Sequence, residues 1–441
     1  MAGFETSTML NVAAAHLRSG KHADAESLCR QVIQQNPDNW QAMYLLGRIV
    51  AADRQYDKAV GCFERVLALI PPSPELLLEL GSTLYLAGRP VEAVPYLRDS
   101  VDKLGTYEAF RELGFALAAI GDHADAERFL LDALRMKPGC SASTVKLGEV
   151  LSMQGKSGAV IELYEKLIER DPDNPHSYAA LIEYYLKQGE PVAALAVCDR
   201  CLNIKPAYNR ALAYKCIALS EAGDEGGLHY LFDPDRYIQR IAAECPSSFG
   251  NIEDFNAYLA EYILARVQMK KDAPEYSTVN GWHSAFGGLF DNNPSLGKKM
   301  DEMNRKALDE YIVRMPDDPD HPAVRSRPSE TRLISWAVVM DHLGHEKTHI
   351  HPKMWIGGVY YVQLPGDFDA QPVKDAGHIV FGQGPEEFHP LRKPSTVTLK
   401  PVEGDFVIFP GYFWHLTVPL QSREKRICVA HDLQSTKDWG A

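Results

Sequence analysis

Two histidines stand directly ahead of a run of β-branched and aromatic residues in the stretch Thr348-His349-Ile350-His351-Pro352-Lys353-Met354-Trp355-Ile356-Gly357-Gly358-Val359-Tyr360-Tyr361-Val362. This composition is typical of a β-strand, in which residues i and i+2 point to the same side. We therefore expect the His349 and His351 imidazoles to face one interior. A third histidine, His415, ends the segment Phe409-Pro410-Gly411-Tyr412-Phe413-Trp414-His415, and Arg426 lies eleven residues later. Three histidines and an arginine on successive strands predict a metal site beside an anion site.

Strand-like segments surround these residues in the C-terminal part of the chain. They are predicted at residues 333–340, 355–364, 378–381, 395–400, 405–409, 414–420 and 426–432. Turns between them carry Pro365-Gly366, Gly382 to Pro385, and Gly404. Many short strands separated by turns favour a sandwich or a jelly-roll barrel, in which a pocket opens at the mouth.

The N-terminal half of the chain is an internal repeat. Small residues recur at intervals of 33 or 34 positions: Ala25, Ala59, Ala93 and Ala126, and Gly47, Gly81, Gly114 and Gly148. Larger residues and prolines fill two further equivalent positions: Phe63, Leu97, Leu130 and Tyr164, and Pro37, Pro71, Pro138, Pro172 and Pro206. The pattern resembles the tetratricopeptide repeat, a pair of antiparallel helices with small residues at their closest approach. Proline ends the second helix because it has no backbone N–H to donate.

Six such repeats are predicted over residues 6–208, and a seventh helix pair over 209–231 caps the array. Two positions depart from the pattern, with Ile182 in place of the glycine and Gly105 in place of a proline. The resemblance implies a superhelix with a concave groove that binds a peptide or protein, self-association included. A spacer or dimerisation arm is the alternative, and a homo-oligomer stays open.

Residues 232–329 lose the repeat period and are interpreted as a helical connector packed on the barrel. Helices are predicted over 252–264 and 295–314. Between them, Asn280-Gly281-Trp282-His283-Ser284-Ala285-Phe286-Gly287-Gly288-Leu289-Phe290 predicts a loop. This loop is either a wall of the neighbouring pocket or a simple packed turn.

Composition limits the class of protein further. The 441 residues are 45% hydrophobic and 24% charged, which is typical of a globular protein with more than one domain. The net charge of −13 disfavours nucleic-acid binding, and neither a run of 18 apolar residues nor a signal peptide is found. Eight scattered cysteines, Cys198 and Cys201 among them, are interpreted as reduced thiols of a cytoplasmic protein.

The C-terminal segments resemble the Fe(II)/2-oxoglutarate-dependent oxygenases, in a bacterial branch where tetratricopeptide repeats precede the catalytic domain. The resemblance lies in Ser335-Trp336-Ala337-Val338, in the stretch quoted first, in the segment from Phe409 to Pro419, and in Arg426-Ile427-Cys428-Val429-Ala430-His431-Asp432. It implies a multidomain fold: a repeat superhelix over residues 1–231, the connector over 232–329, and a mainly-β double-stranded β-helix (jelly roll) over 330–441. It also implies Fe(II), 2-oxoglutarate as co-substrate, and O₂.

The family holds iron with a His-x-Asp/Glu pair and a distal histidine. His349 and His415 match the two histidines, and His351 stands where the carboxylate is expected. His351 is then the third ligand, or a carboxylate such as Glu346 or Asp341 enters, or two histidines suffice. The register is also open, since His351 could be the first ligand with His349 behind it.

The family pairs the distal carboxylate of 2-oxoglutarate with an arginine, and Arg426 matches it. Tyr360, Tyr361 and Thr417 are candidate additional donors to the co-substrate. Trp355 and Trp414 are interpreted as packing residues.

The resulting hypothesis is a hydroxylase whose repeats present a peptide, protein or carrier-bound substrate. The alternatives are an inactive β-helix domain on a repeat scaffold for protein–protein interaction, and a three-histidine enzyme without a co-substrate. Desaturation and halogenation also stay open.

Overall fold

The computed structural model of the protein describes residues 2–273, 276–388 and 390–436. Contacts between residues divide the chain into two compact units, one ending at Arg170 and one beginning at Asp171. This division falls inside the predicted repeat array, ahead of the boundaries predicted after residues 231 and 329.

The first unit is built from paired helices. They are α1 (Ala2–Arg18), α2 (His22–Gln35), α3 (Trp40–Ala52), α4 (Tyr56–Leu69), α5 (Pro74–Leu86), α6 (Pro90–Leu104), α7 (Tyr107–Ala119), α8 (His123–Met136), α9 (Ser141–Met153) and α10 (Ser157–Arg170). Each helix packs against the next one along the chain. At the position where the repeat pattern has no proline, α6 is followed by Gly105, which adopts the left-handed conformation (φ +57°) common at helix C-termini.

The glycine and alanine positions lie where the two helices of a repeat approach most closely. All four repeated alanines are fully buried. A Cβ atom added to Gly81 would lie 2.6 Å from Cγ of Leu97, which occupies the repeated large position on the partner helix. Gly47 and Gly114 face Phe63 and Leu130 in the same way. The small residues are therefore required by contact between helices, as the repeat pattern predicted.

Gly81→Val is expected to lower the free energy of unfolding of the first unit by about 2–3 kcal/mol, because the new side chain overlaps Leu97. Urea titration followed by the far-ultraviolet circular dichroism signal measures this change. Gly61→Ala is the matched control, since Gly61 lies in α4 with open space around its Cα. That substitution should raise stability by about 0.5–1 kcal/mol. Equal effects of the two substitutions would contradict the close approach.

The second unit combines the last repeat helices with a β-rich region. Its helices are α11 (Pro175–Lys187), α12 (Pro191–Ile204), α13 (Asn209–Ala222), α14 (Glu225–Leu231), α15 (Pro234–Tyr237), α16 (Ile252–Arg266), α17 (Pro294–Arg314) and α18 (Pro322–Arg325). Its strands are β1 (Gln239–Ala242), β2 (Met269–Lys271), β3 (Thr278–Ser284), β4 (Thr331–Glu346), β5 (Ile356–Gln363), β6 (Ile379–Phe381), β7 (Val397–Leu399), β8 (Asp405–Pro410), β9 (His415–Thr417) and β10 (Arg426–Ser435). Across the described residues, we find no helix with the length and apolar character needed to cross a bilayer.

Two antiparallel sheets form the β-rich region. The larger has the strand order β1-β8-β5-β10-β4-β3-β2, and the smaller has the order β7-β6-β9. Strand β10 is central, because it pairs with β4 on one side and with β5 on the other. One face of the larger sheet packs on apolar side chains of α16 and α17, among them Phe255, Ile263, Met300 and Tyr311. The other face is left to line a cavity.

The predicted helical connector also contributes strands. Strand β1 pairs with β8, and β3 pairs with β4, so the connector extends the larger sheet at both edges. The loop predicted at 280–290 begins as strand β3 instead. Its pairing with β4 shifts register between Val279 and Gly281, and a Cβ at Gly281 would lie 2.9 Å from the Val339 carbonyl oxygen. The glycine marks a bulge with close backbone approach rather than a loop.

Both tryptophans interpreted as packing residues are buried, and each donates its indole N–H to a backbone carbonyl. Trp355 donates to Ala323 at 2.6 Å, and Trp414 donates to Ala213 of α13 at 3.1 Å. Tyr412 donates its hydroxyl to the Leu231 carbonyl at the end of α14, at 2.7 Å. The last repeat helices are therefore hydrogen-bonded to the segment that precedes β9.

Candidate metal centre

Three histidines converge at one end of the cavity. His349 and His351 lie between β4 and β5, and His415 opens β9. His349 and His415 exchange backbone hydrogen bonds at 3.0 and 3.1 Å, and the His351 N–H donates to the Gly411 carbonyl at 2.8 Å. One ring nitrogen of each histidine lies within 4.8 Å of the others. The rings meet as expected, although His349 forms an isolated bridge and His351 follows it outside any regular strand.

The second ring nitrogen of each histidine is held by an oxygen atom. The Nδ1–H of His349 donates to the Lys347 carbonyl at 2.7 Å, and that of His415 donates to the Phe413 carbonyl at 2.9 Å. The Nδ1–H of His351 donates to the Asp432 carboxylate. With all Nδ1 atoms acting as donors, the three Nε2 atoms are free to bind a cation.

The Nε2 atoms of His351 and His415 are 3.3 Å apart. Two lone pairs at this separation repel each other, so a proton or a metal ion fits between them. A divalent ion bound about 2.1 Å from each nitrogen would reach both. Nitrogen donors of this type suit Fe(II), Zn(II) and other transition metals, so the residues present fit the metal that the family resemblance implies.

Burial and neighbouring charges set the protonation of the three rings. Burial and the two nearby imidazoles hold the pKa of His415 well below its usual range, and burial with the adjacent His351 lowers the pKa of His349. Burial would also lower the pKa of His351, but the Asp432 carboxylate outweighs it and raises that pKa. Two rings are therefore neutral at pH 7, as metal ligands must be.

Arg426 is buried in the same cavity, with an exposed fraction of 3%. Its Nη1 contacts Met340 Sδ at 3.5 Å, and its guanidinium lies 5.2 Å from the centroid of the Tyr361 ring. Its Nε has no hydrogen-bond partner, and no carboxylate of the described ranges forms an ion pair with it. A buried cation without a counter-ion is unfavourable, so this site calls for an anionic ligand.

The candidate co-substrate donors lie on different sides of their strands. Tyr361 and Thr417 line the cavity with Arg426, and the Tyr361 hydroxyl has no partner in the described part of the chain. Tyr360 was predicted as a donor, and this assignment is corrected. Its side chain points to the opposite face of β5, where its hydroxyl donates to Asn256 Oδ1 at 2.5 Å. Successive residues of a strand alternate sides, so only one of the two tyrosines can face the cavity.

Neither carboxylate considered as a substitute iron ligand joins the histidines. Glu346 lines the cavity, but its oxygens accept hydrogen bonds from Ser277 and, at 2.7 Å, from Thr278. Asp341 does not line the cavity. The carboxylate that does contact the cluster is Asp432, which we did not single out in the sequence. A sequence signal for it exists: Asp432 lies six residues after Arg426 on one strand, and residues an even number apart point to the same face of a strand.

The cavity has a volume of about 440 Å³ and two chemically different ends. Arg426 pairs with Met340 in the register of β10 and β4, whereas Ala430 pairs with Trp336. Four residues of strand separate these pairs by about 13 Å. Other aromatic rings lie around Trp336. The ring centroids of Tyr276 and His283 are 3.7 Å apart in a stacked pair, and those of Phe286 and Trp336 are 4.8 Å apart. The loop predicted as a possible pocket wall therefore does line the cavity.

Asn209, the first residue of α13, anchors the segment that carries His351. Its side-chain amide donates to the His351 carbonyl at 2.9 Å and to the Met354 carbonyl at 2.5 Å. A contact across 142 positions of sequence carries no local signal, and sequence reasoning missed it.

Two protein-family models match the chain. Residues 334–432 match the family described as "Putative 2OG-Fe(II) oxygenase". The family "Tetratricopeptide repeat" matches residues 13–74, 50–109, 111–175 and 145–209.

Similar curated proteins share only parts of the chain. It is 28% identical over 195 residues to "Cellulose synthase operon protein C" of Pseudomonas fluorescens (strain SBW25), covering 44% of this chain and 13% of that protein. It is 28% identical over 134 residues to "Tetratricopeptide repeat protein 7B" of Homo sapiens, covering 30% of this chain and 16% of that protein. The chain therefore spans less than a fifth of the length of these relatives.

Similar solved structures include YrrB, described as a TPR protein with an unusual peptide-binding site. The TM-score is 0.35 at 21% identity, covering 38% of this chain and 88% of that one. PilW, described as a type IV pilus biogenesis factor, matches with a TM-score of 0.41 at 19% identity, covering 47% and 96% of the two chains.

Proposed function

We propose, because this chain joins tetratricopeptide repeats to a domain of the 2OG-Fe(II) oxygenase family, that it is an Fe(II)- and 2-oxoglutarate-dependent hydroxylase. The substrate is a peptide, a protein or a carrier-bound molecule that the repeats present. The observation that carries the proposal is the buried Arg426, which forms no ion pair within the described residues and lies in the same cavity as three clustered histidines.

Different residues would bind the metal and the co-substrate. His349, His351 and His415 would hold Fe(II) through Nε2. Arg426 would bind the distal carboxylate of 2-oxoglutarate with paired hydrogen bonds, and Tyr361 and Thr417 would donate to the same molecule. When bound, Fe(II) with 2-oxoglutarate and O₂ supplies the oxidising chemistry that converts a substrate C–H bond to C–OH. The apolar walls around the site exclude water from it.

The aromatic end of the cavity is the place left for the substrate. Trp336 and Phe286 border it, and Phe286 is 58% exposed, so this end opens to the surface. A side chain entering here would approach the histidines from the side away from Arg426. Tetratricopeptide repeats are protein-binding modules, which supports a protein or peptide partner for the array. The eight unpaired thiols fit the reducing cytoplasm in which we place the protein.

An inactive scaffold is the competing hypothesis, since a carboxylate ligand is missing. The three Nδ1 hydrogen bonds, with one ring nitrogen of each histidine within 4.8 Å of the others, argue against it. A domain without a ligand would also gain nothing from a buried guanidinium that forms no ion pair within the described residues.

Anaerobic titration with Fe(II) and then 2-oxoglutarate tests the proposal. We expect a weak visible charge-transfer band to develop only when both are present, and we expect His415→Ala to abolish it. His342→Ala is the matched control, because His342 is an exposed histidine outside the cavity. Absence of the band in the wild-type protein, or an unchanged band in His415→Ala, would favour the scaffold. Iron binding that is indifferent to 2-oxoglutarate would favour the three-histidine enzyme without a co-substrate.

A further inference from the structure

Asp432 is a buried carboxylate that contacts the metal centre from behind. Its Oδ1 accepts the Nδ1–H of His351, and the two side chains are both almost fully buried. Nδ1 and Nε2 lie on opposite sides of an imidazole ring, so the carboxylate sits across the ring from the nitrogen that faces His415. Asp432 therefore contacts His351 without occupying a coordination position.

Within the part of the chain that the structure describes, His351 is the one charged or titratable group that pairs with this carboxylate. Within the described residues, His351 is the ion-pair partner of Asp432, and no arginine or lysine lies within ion-pair distance of it. A buried carboxylate is unfavourable unless a hydrogen-bonded positive partner compensates it. The His351 Nδ1–H is therefore the group that stabilises the buried carboxylate, and a cation bound to Nε2 of the same ring would supply the positive charge.

The neighbouring strand leaves room for the pair. Gly357 of β5 lies opposite Asp432 in the sheet register. A Cβ at Gly357 would be 3.2 Å from His351 Nδ1 and 3.4 Å from Asp432 Oδ1, closer than side chains normally pack. The absence of a side chain at this position permits the imidazole and the carboxylate to meet.

We propose that Asp432 is the displaced carboxylate of this metal centre, a positioning residue that acts on the metal through His351. The proposal rests on the proposed function in that the three histidines bind a divalent metal. Three neutral imidazoles leave the full charge of such an ion uncompensated. The Asp432 carboxylate supplies negative charge one ring away, fixes the ring with Nε2 toward the metal, and makes that nitrogen a stronger donor. His351 with Asp432 thereby replaces the carboxylate ligand that His351 displaced.

Co(II) binding to the full chain, without co-substrate, tests this role. Removing a group that orients a metal-bound histidine typically weakens metal binding about 10–100-fold. We expect a loss in this range for Asp432→Ala. We expect a smaller loss for Asp432→Asn, which keeps a hydrogen-bond acceptor of the same size but not the charge. The visible absorption bands of bound Co(II) should shift in both variants, because the donor strength of His351 changes.

Glu346→Gln is the matched control, since Glu346 lines the same cavity but bonds to Ser277 and Thr278 rather than to a histidine. It should leave the Co(II) affinity and spectrum unchanged. Equal losses in Glu346→Gln and Asp432→Asn would overturn the proposal, because the general charge of the cavity would then be responsible. Wild-type affinity and spectrum in Asp432→Asn would also overturn it.

Two controls distinguish the role of Asp432 from misfolding of the variant and from failure of the metal centre. Asp432→Asn conserves volume, so it serves if Asp432→Ala fails to fold, and thermal unfolding of the metal-free proteins checks this. A wild-type protein that binds no Co(II) contradicts the metal centre itself. A wild-type protein that binds Co(II) and an Asp432→Asn variant that binds it equally well contradict only the role of Asp432.

Discussion

Arg426→Met is expected to abolish 2-oxoglutarate binding and, at the same time, to make the ligand-free protein more stable. Two hydrogen bonds between a guanidinium and a carboxylate contribute about 1.5–3 kcal/mol each, so affinity should fall at least about 100-fold. The methionine side chain removes a buried cation for which the described residues provide no counter-ion. Replacing buried ionic groups by apolar side chains of similar volume is often neutral or stabilises proteins by about 1–4 kcal/mol, so we expect a gain within that range here.

The opposite signs of these two effects make the measurement decisive. Anaerobic titration of the Fe(II)-loaded protein gives the co-substrate affinity, and urea titration of the metal-free protein gives the stability. Arg423→Met is the matched control, because Arg423 is exposed in the turn before β10. It should change neither quantity appreciably. A destabilised Arg426→Met protein that still binds 2-oxoglutarate would show that the guanidinium serves packing alone.

His431→Leu is expected to remove a large part of the loss of stability in mild acid. His431 lies on the face of β10 away from the cavity, fully buried, and neither ring nitrogen has a partner in the described residues. Burial, and to a smaller extent His351, lower the pKa of His431 from 6.5 to about 3. At a pH between 6.5 and about 3, the imidazole is protonated in the unfolded chain but stays neutral in the native protein. Stability from this residue is therefore present above pH 6.5 and is lost as the pH falls, by about 1.4 kcal/mol per unit.

Urea titration at pH 7 and pH 5 measures this contribution, which should be about 2 kcal/mol over that interval. Tryptophan fluorescence is a suitable signal, since five of the six tryptophans lie after Asp171. His342→Leu is the control, because its exposed ring keeps its contact with water on folding. If His431→Leu loses as much stability between the two pH values as the wild-type protein does, His431 is not the buried neutral ring described above.

The repeat half could be predicted well from sequence because its signal is local and periodic. Gly81 and Leu97 are sixteen residues apart, within one repeat, and the same contact recurs in the next repeats. The two family matches confirm the repeats and the oxygenase resemblance. The secondary structure of the connector (residues 232–329) was harder to predict, since Gly281 and its neighbours have the composition of a loop. Only pairing with β4 shows that the glycine permits close strand approach.

In the site, sequence could propose residue types but not which side of a strand each occupies. Residue spacing indicated four site residues, His349, His351, His415 and Arg426. In the structure all four line one cavity. Tyr360 and Tyr361 are adjacent, and the pairing of Tyr361 with Cys428 decides which of them lies beside Arg426. Asp432 and Asn209 were missed for a similar reason. Both contact His351, which lies 142 positions from Asn209 and 81 from Asp432. The face that Asp432 shares with Arg426 was a sequence signal for the cavity but not for the contact with His351.

Asn209 donates a hydrogen bond to the His351 carbonyl, and the Ala213 and Leu231 carbonyls accept hydrogen bonds from Trp414 and Tyr412, which constrains how such a chain can be assembled during evolution. A gene fusion joined at residue 232 would give a β-rich region that lacks the Asn209 amide and the Ala213 and Leu231 carbonyls. A joint ahead of Asp171 would carry all three along. We therefore expect exchange of the repeats ahead of Asp171 to leave these three hydrogen bonds intact, whereas exchange of α13 or α14 would remove them.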